Sequence, residues 1–122
     1  TCCDIYEDMT AFLNAFFDHF KIDGRAQICA LTQNVPAGNA NLALVLKTIP
    51  CLEQIDREAS LRILTGLQTP NILVSFPARS LGGRSKGMLQ NYERHFNELV
   101  ADQNWKVTRF EFPGELAFLI QK

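Results

Sequence analysis

A doubly wound α/β fold is the architecture that this sequence predicts, on three observations. Short apolar runs and longer amphipathic stretches follow one another as strand, helix, strand, strand, helix, strand, helix, strand, strand, an order that suits a mainly parallel sheet with crossover connections. The run Ile72 to Phe76 is β-rich and apolar without a break, as in strands buried on both faces. The final stretch turns at Pro113-Gly114 between two strand-like segments, which gives the sheet an antiparallel end.

Each element has its own signal. Thr1 to Ile5 reads as the middle or end of a buried strand. From Glu7 to Phe20, Met9, Phe12, Leu13, Phe16, Phe17 and Phe20 repeat with helical spacing on one stripe, and Gly24 is expected to end that region. Arg25 to Leu31 and Leu42 to Leu46 suit short strands, separated by a turn-rich loop from Asn34 to Asn41. Asp56 is placed to cap a helix whose face is Ala59, Ile63, Leu64 and Leu67, stopping near Thr69-Pro70. After Ile72 to Phe76 comes a segment from Pro77 to Gly87 with three glycines and three cations. A second clear helix follows, with Leu89, Tyr92, Phe96, Leu99 and Val100 on one face. Phe110 and Phe112 share one side of the strand before the turn, and Leu116 to Ile120 forms the return.

Composition narrows the function classes. The chain has 122 residues, 47% of them apolar, and a formal net charge of -1, which places it among globular chains as one domain or part of one. No apolar run approaches the roughly 20 residues that span a bilayer, and the start lacks the pattern of a signal peptide, so a cytoplasmic location is expected. Cys2, Cys3, Cys29 and Cys51 show no C-x-x-C spacing and are expected to be buried reduced thiols. His19 and His95 fall on separate helical patterns, so no metal site is expected and both are read as helix-surface residues.

In doubly wound sheets ligands lie at the carboxyl ends of strands, where an acidic residue can accept hydrogen bonds from both hydroxyls of a ribose. Asp4 is in that place and Ile5 could pack on an adenine face, although Asp4 equally suits a helix cap. Gln33 and Asn34 end the next strand, where their amides could read an adenine edge or close a turn. Lys47 ends the strand Leu42 to Leu46, facing either a cleft or solvent. Arg79, Arg84 and Lys86 leave the buried strand on a glycine-rich loop, offering cations and backbone N–H groups to phosphates. The spacing is not that of a Walker A loop.

Three strings carry a resemblance: Leu42-Ala-Leu-Val-Leu-Lys-Thr-Ile-Pro-Cys-Leu-Glu53, Val74-Ser-Phe-Pro-Ala-Arg-Ser-Leu-Gly-Gly-Arg-Ser-Lys-Gly-Met88 with Asn91, Tyr92 and Phe96, and Gly114-Glu-Leu-Ala-Phe-Leu-Ile-Gln-Lys122. They resemble the 16S ribosomal RNA guanine-N7 methyltransferases of aminoglycoside resistance. The resemblance implies a Rossmann-like class I fold and methyl transfer from S-adenosylmethionine to a guanine in the decoding site of the small ribosomal subunit. It matches Asp4 and Ile5 to the ribose-binding step and Gln33 to the adenine side, while Asn34 stands where the family commonly has Asp. It sets Lys47, Ser75, Phe76 and Pro77 along the catalytic cleft, and Arg79, Arg84 and Lys86 near RNA.

The family's Asp-x-x-Cys-Gly-type turn and helical N-terminal domain match nothing here, so residues 1–122 are expected to be the C-terminal portion of the catalytic domain, inactive by itself. With the central first strand missing, two strand groups should expose unpaired edges, at about 1 to 3 kcal/mol for each buried group left without a partner. Two other readings remain open at this level: a non-catalytic RNA- or ribosome-binding fragment, and a methyltransferase of the same fold with another substrate.

Overall fold

The computed structural model describes residues 1–78 and 87–122, in two compact units divided after Pro36. The first holds β1 (Cys2–Asp4), α1 (Glu7–Phe20) and β2 (Ala26–Ile28). The second holds β3 (Ala43–Leu46), α2 (Ile49–Leu52), α3 (Ala59–Gly66), β4 (Asn71–Pro77), α4 (Met88–Val100), β5 (Lys106–Phe112) and β6 (Glu115–Gln121). No helix among the described residues is long and apolar enough to cross a membrane.

In the first unit β1 and β2 pair in parallel, Cys3 opposite Gln27 and Asp4 opposite Ile28. The strand at the start is present but half-exposed rather than buried. Helix α1 has the expected bounds, yet Met9, Phe12, Phe16 and Phe20 of its stripe are exposed, and Thr10 is its one buried residue. Gly24 does not end it. Lys21 does, in the left-handed conformation with φ 54°, while the Ile22 N–H reaches back to the Phe17 carbonyl at 2.9 Å in a Schellman-type cap. The need for glycine at position 24 is space: a Cβ there would stand 3.0 Å from the Phe17 ring. Strand β2 is shorter than the expected Arg25 to Leu31, because the Ala30 carbonyl accepts the N–H groups of Gln33 and Asn34 and bends the chain into a turn.

The second unit is a four-stranded sheet in the order β3-β4-β6-β5, parallel between β3 and β4 and antiparallel across the rest. The strands therefore fall into two groups, and β3 is an edge strand paired on one side among the described residues. Alternation sends Val45, Ile72, Val74, Phe76, Leu116, Phe118 and Ile120 to one face, where α4 lays Phe96, Leu89, Tyr92, Leu99 and Val100 over them. Phe96 stacks on Phe118 at 4.1 Å, and Phe76 stacks on Tyr92 at 5.0 Å. Each fully buried Phe or Leu in this layer contributes about 1.5 to 3 kcal/mol. Leu44, Leu46, Phe110 and Phe112, which alternate to the other face, are exposed.

Helix α2, a single turn begun at Ile49-Pro50, has no counterpart in the sequence reading. Asp56 does not cap α3. Glu58 stands at the cap position, while Asp56 Oδ1 accepts the Glu58 N–H at 2.9 Å and Oδ2 takes Arg62 at 2.6 Å. The end of α3 is held from the last strand: Lys122 Nζ donates to the carbonyls of Thr65 at 3.2 Å and Leu67 at 2.7 Å, and lies over the Trp105 ring. His95, expected on the surface, is half-buried and bonded at 2.7 Å to Glu53 Oε2.

Candidate functional site

Parallel pairing puts the carboxyl ends of β1 and β2 at the same end of the first unit. Asp4, half-buried, turns Oδ1 to the Tyr6 N–H at 2.9 Å, and its carbonyl accepts the Cys29 N–H at 2.8 Å. This is an Asx-type turn ahead of α1 and not a cap, since Tyr6 holds the cap position without a side-chain bond. Ile5, next in the chain, is exposed. Gln33 and Asn34 are exposed at that same end, but on the turn closed by Ala30 rather than at the strand's last residue, which is Ile28. A carboxylate, an apolar side chain and two amides are thus offered at one end of a strand pair. That donor and acceptor set fits a nucleoside, with the carboxylate for ribose hydroxyls and the amides for a purine edge.

The cysteines were read as buried, and they are not. Cys2 and Cys51 are exposed, Cys3 and Cys29 half-buried, and all four are free thiols. Partial burial, and then the neighbouring Cys3, push the Cys29 thiol above its ordinary value.

In the second unit β3 and β4 also end together. Lys47 sits there with φ 56°, a left-handed conformation that strains a residue with a Cβ. Its N–H donates to the Ser75 carbonyl at 2.9 Å, and its Nζ pairs with Glu115 Oε2 at 3.7 Å. Glu115 starts β6 directly opposite Pro77, so Lys47, Pro77 and Glu115 share the carboxyl ends of β3 and β4. Glu115 was missed by the sequence reading because nothing local marks it; its place follows from the antiparallel register of β6 on β4.

Ser75 is buried and its Oγ has no hydrogen-bond partner among the described residues, an orphan near the carboxyl end of a central strand. Phe76 corrects the sequence reading. Its side chain is fully buried on the α4 face, stacked on Tyr92 and edge-on to Phe96 and Phe118, so it is a core residue and not a cleft residue. Arg79, Arg84 and Lys86 lie outside the described residues. No group of three or more potential metal ligands occurs among the described residues.

The chain is similar to known proteins along nearly all of its length. It is 36% identical over 120 residues to the 16S rRNA (guanine(1405)-N(7))-methyltransferase of Frankia casuarinae, covering 98% of this chain and 42% of that protein. It is 33% identical over 119 residues to the enzyme of the same name from Micromonospora echinospora, covering 98% and 43%. Its fold superposes on the crystal structure of the 16S rRNA methyltransferase RmtF in complex with S-adenosyl-L-homocysteine with a TM-score of 0.90 at 30% identity, over 98% of this chain and 46% of that one. The chain thus spans less than half the length of these relatives. The family model for ribosomal RNA methyltransferases of the FmrO type matches residues 1–119, so with its Rossmann-like α/β units the chain belongs to the FmrO family of ribosomal RNA methyltransferases.

Proposed function

We propose that this chain forms part of a 16S ribosomal RNA guanine-N7 methyltransferase that uses S-adenosylmethionine on the small ribosomal subunit in the cytoplasm and gives aminoglycoside resistance. The observation that carries the reading is the nucleoside-type set at one end of β1 and β2: Asp4, Ile5, Gln33 and Asn34. In this reading Asp4 accepts the ribose hydroxyls, Ile5 lies on the adenine face, and Gln33 and Asn34 meet the adenine edge. The similarity to RmtF, solved with S-adenosyl-L-homocysteine, supports the same cofactor here.

When bound, S-adenosylmethionine supplies a methyl group made electrophilic by its sulfonium sulfur. Guanine N7 carries a lone pair as an acceptor in the major groove, so no residue has to remove a proton first. The work left to the protein is alignment, so the reaction does not require an acid and base pair. Lys47, Ser75 and Pro77 border the cleft in this reading, Phe76 supports them from the core, and Arg79, Arg84 and Lys86 hold RNA phosphates.

A calorimetric titration with S-adenosylmethionine and S-adenosylhomocysteine tests the cofactor side. Binding should weaken about tenfold or more in Asp4→Ala, as expected when hydrogen bonds to a charged group are lost. A folded sample that binds neither ligand would mean that the nucleoside-type set is not enough by itself, and the titration would pass to a longer protein that carries this chain; no binding there either would sink the reading. For the substrate side, methylation of isolated small subunits by a longer enzyme that carries this chain should map to a single guanine N7. Binding to subunits that falls steeply with salt but leaves no methyl group would point instead to a non-catalytic RNA-binding role for the three cations.

A further inference from the structure

The methyl-accepting atom does not by itself select guanine. Adenine carries the same N7 acceptor, so aligning N7 with a methyl group serves both purines. The two differ along the pairing edge, where guanine offers an acceptor at O6 beside donors at N1 and N2, and adenine a donor at N6 beside an acceptor at N1. That edge is open only when the base is unpaired or turned out of its stack, the state in which base-modifying enzymes act and read it.

A donor and an acceptor stand side by side at the carboxyl ends of β3 and β4. Lys47 Nζ lies 3.7 Å from Glu115 Oε2, longer than the about 2.7 to 2.9 Å of a charge-assisted hydrogen bond, so the two charges steady each other and keep their hydrogen-bonding positions free. Neither side chain has a further partner among the described residues. Lys47 is exposed and Glu115 half-buried, so both are open to a ligand. The backbone fixes their bases: the Lys47 N–H is held by the Ser75 carbonyl at 2.9 Å, and Glu115 stands opposite Pro77 in the antiparallel ladder. A long cation is thus carried on a left-handed bend, φ 56°, that glycine would adopt without strain.

We propose that Lys47 and Glu115 read the pairing edge of the target base and make it guanine rather than adenine. Lys47 Nζ donates to O6, and the Glu115 carboxylate accepts from N1–H and from the 2-amino group. Against adenine the same pair sets an ammonium on the N6 donor and a carboxylate on the N1 lone pair. Both charges are then mismatched, which is how a site built on polar contacts rejects the wrong partner. The inference rests on the methyl transfer proposed above and adds to it the residues that choose the base.

Small subunits with one replacement at the target position, methylated by a longer enzyme that carries this chain, make the test, read as kcat/KM. Inosine keeps O6, N1–H and N7 and lacks only the 2-amino group; 2-aminopurine keeps that group and N7 and lacks O6 and the N1 proton. Wild type should favour guanine over inosine about tenfold or more, as for a hydrogen bond to a charged group. In Glu115→Ala the ratio should fall to within about twofold of one, because the 2-amino group has lost its acceptor. In Lys47→Met the guanine-to-inosine ratio should stay near that of wild type, since both bases keep O6, while the preference for guanine over 2-aminopurine shrinks. Glu115→Gln, which keeps the shape and gives up the charge, should lower the guanine-to-inosine ratio in the same direction and decides the matter if the alanine variant does not fold. A ratio equal to wild type in a folded Glu115 variant that still methylates overturns the inference and leaves the proposed function standing. A folded wild-type enzyme that methylates no guanine sinks that function, and the inference with it.

Discussion

The side chain of Asn14 holds the main chain of Ala26 by both its groups: Nδ2 donates to the Ala26 carbonyl at 3.0 Å and Oδ1 accepts the Ala26 N–H at 2.8 Å. The amide of one helical residue thus takes the place of a neighbouring strand along β2, and covers an edge that would otherwise be open. Its removal should cost unit 1 about 1 to 3 kcal/mol, since two backbone groups lose their partners. Urea unfolding of Asn14→Ala followed by the circular dichroism of α1 checks this; a change within error would mean that water replaces the amide without loss.

Lys47 should show stability and function moving apart. Its left-handed backbone, at φ 56°, is one that glycine adopts freely, so Lys47→Gly should leave stability unchanged or raise it by up to about 1 kcal/mol. The same variant loses the Nζ pair to Glu115 and, on the proposed function, should lower methyl transfer. Thermal unfolding beside a methylation assay reads both, and a strongly destabilised variant would contradict the strain argument.

Stability on the acid side should depend on Asp56. The Arg62 guanidinium, and then the Glu58 N–H, hold its carboxyl below the ordinary value of 3.8. A carboxyl lowered by folding adds stability above its unfolded value, and that stability is lost as pH falls through the folded one. Asp56→Asn should therefore flatten the fall in stability below about pH 4. The effect should be small and weaken with salt, because the pair is exposed. Equal acid limbs in both proteins would refute it.

Amide exchange should alternate along β3. The Lys47 N–H donates to Ser75 across the parallel ladder, so by the two-residue repeat Val45 also faces β4, while the N–H groups of Leu44 and Leu46 face the other edge. Leu44 and Leu46 should exchange faster than Val45 and Lys47. Equal protection at all four would show that something further covers that edge.

How far the sequence could be read depended on what each pattern reports. Helices α1 and α4, strand β4 and the hairpin were legible because periodicity and unbroken apolar runs record burial directly. The stripe on α1 was legible as a helix but not as a surface, since periodicity does not say what lies against it. Helix α2 has four residues, too few to show a period. Asp56 followed by Glu58 and Arg62 carries the same local signature for a cap and for an Asx turn. Among the candidate site residues, Asp4 could be placed from strand order alone. The side of the sheet that Phe76 takes is set by the packing of α4, and Glu115 is brought beside Lys47 by the long-range register of β6 on β4, so neither had a local signal.

Trp105 is the chain's single tryptophan, and it packs against the core of the second unit beneath Lys122. Its fluorescence is therefore an optical reporter of the unit formed by residues 37–122. Because Lys122, just after β6, also grips the carbonyls that end α3, its release should change the emission before the sheet itself melts. One chromophore thus separates fraying of the carboxyl end from loss of the sheet in a single titration.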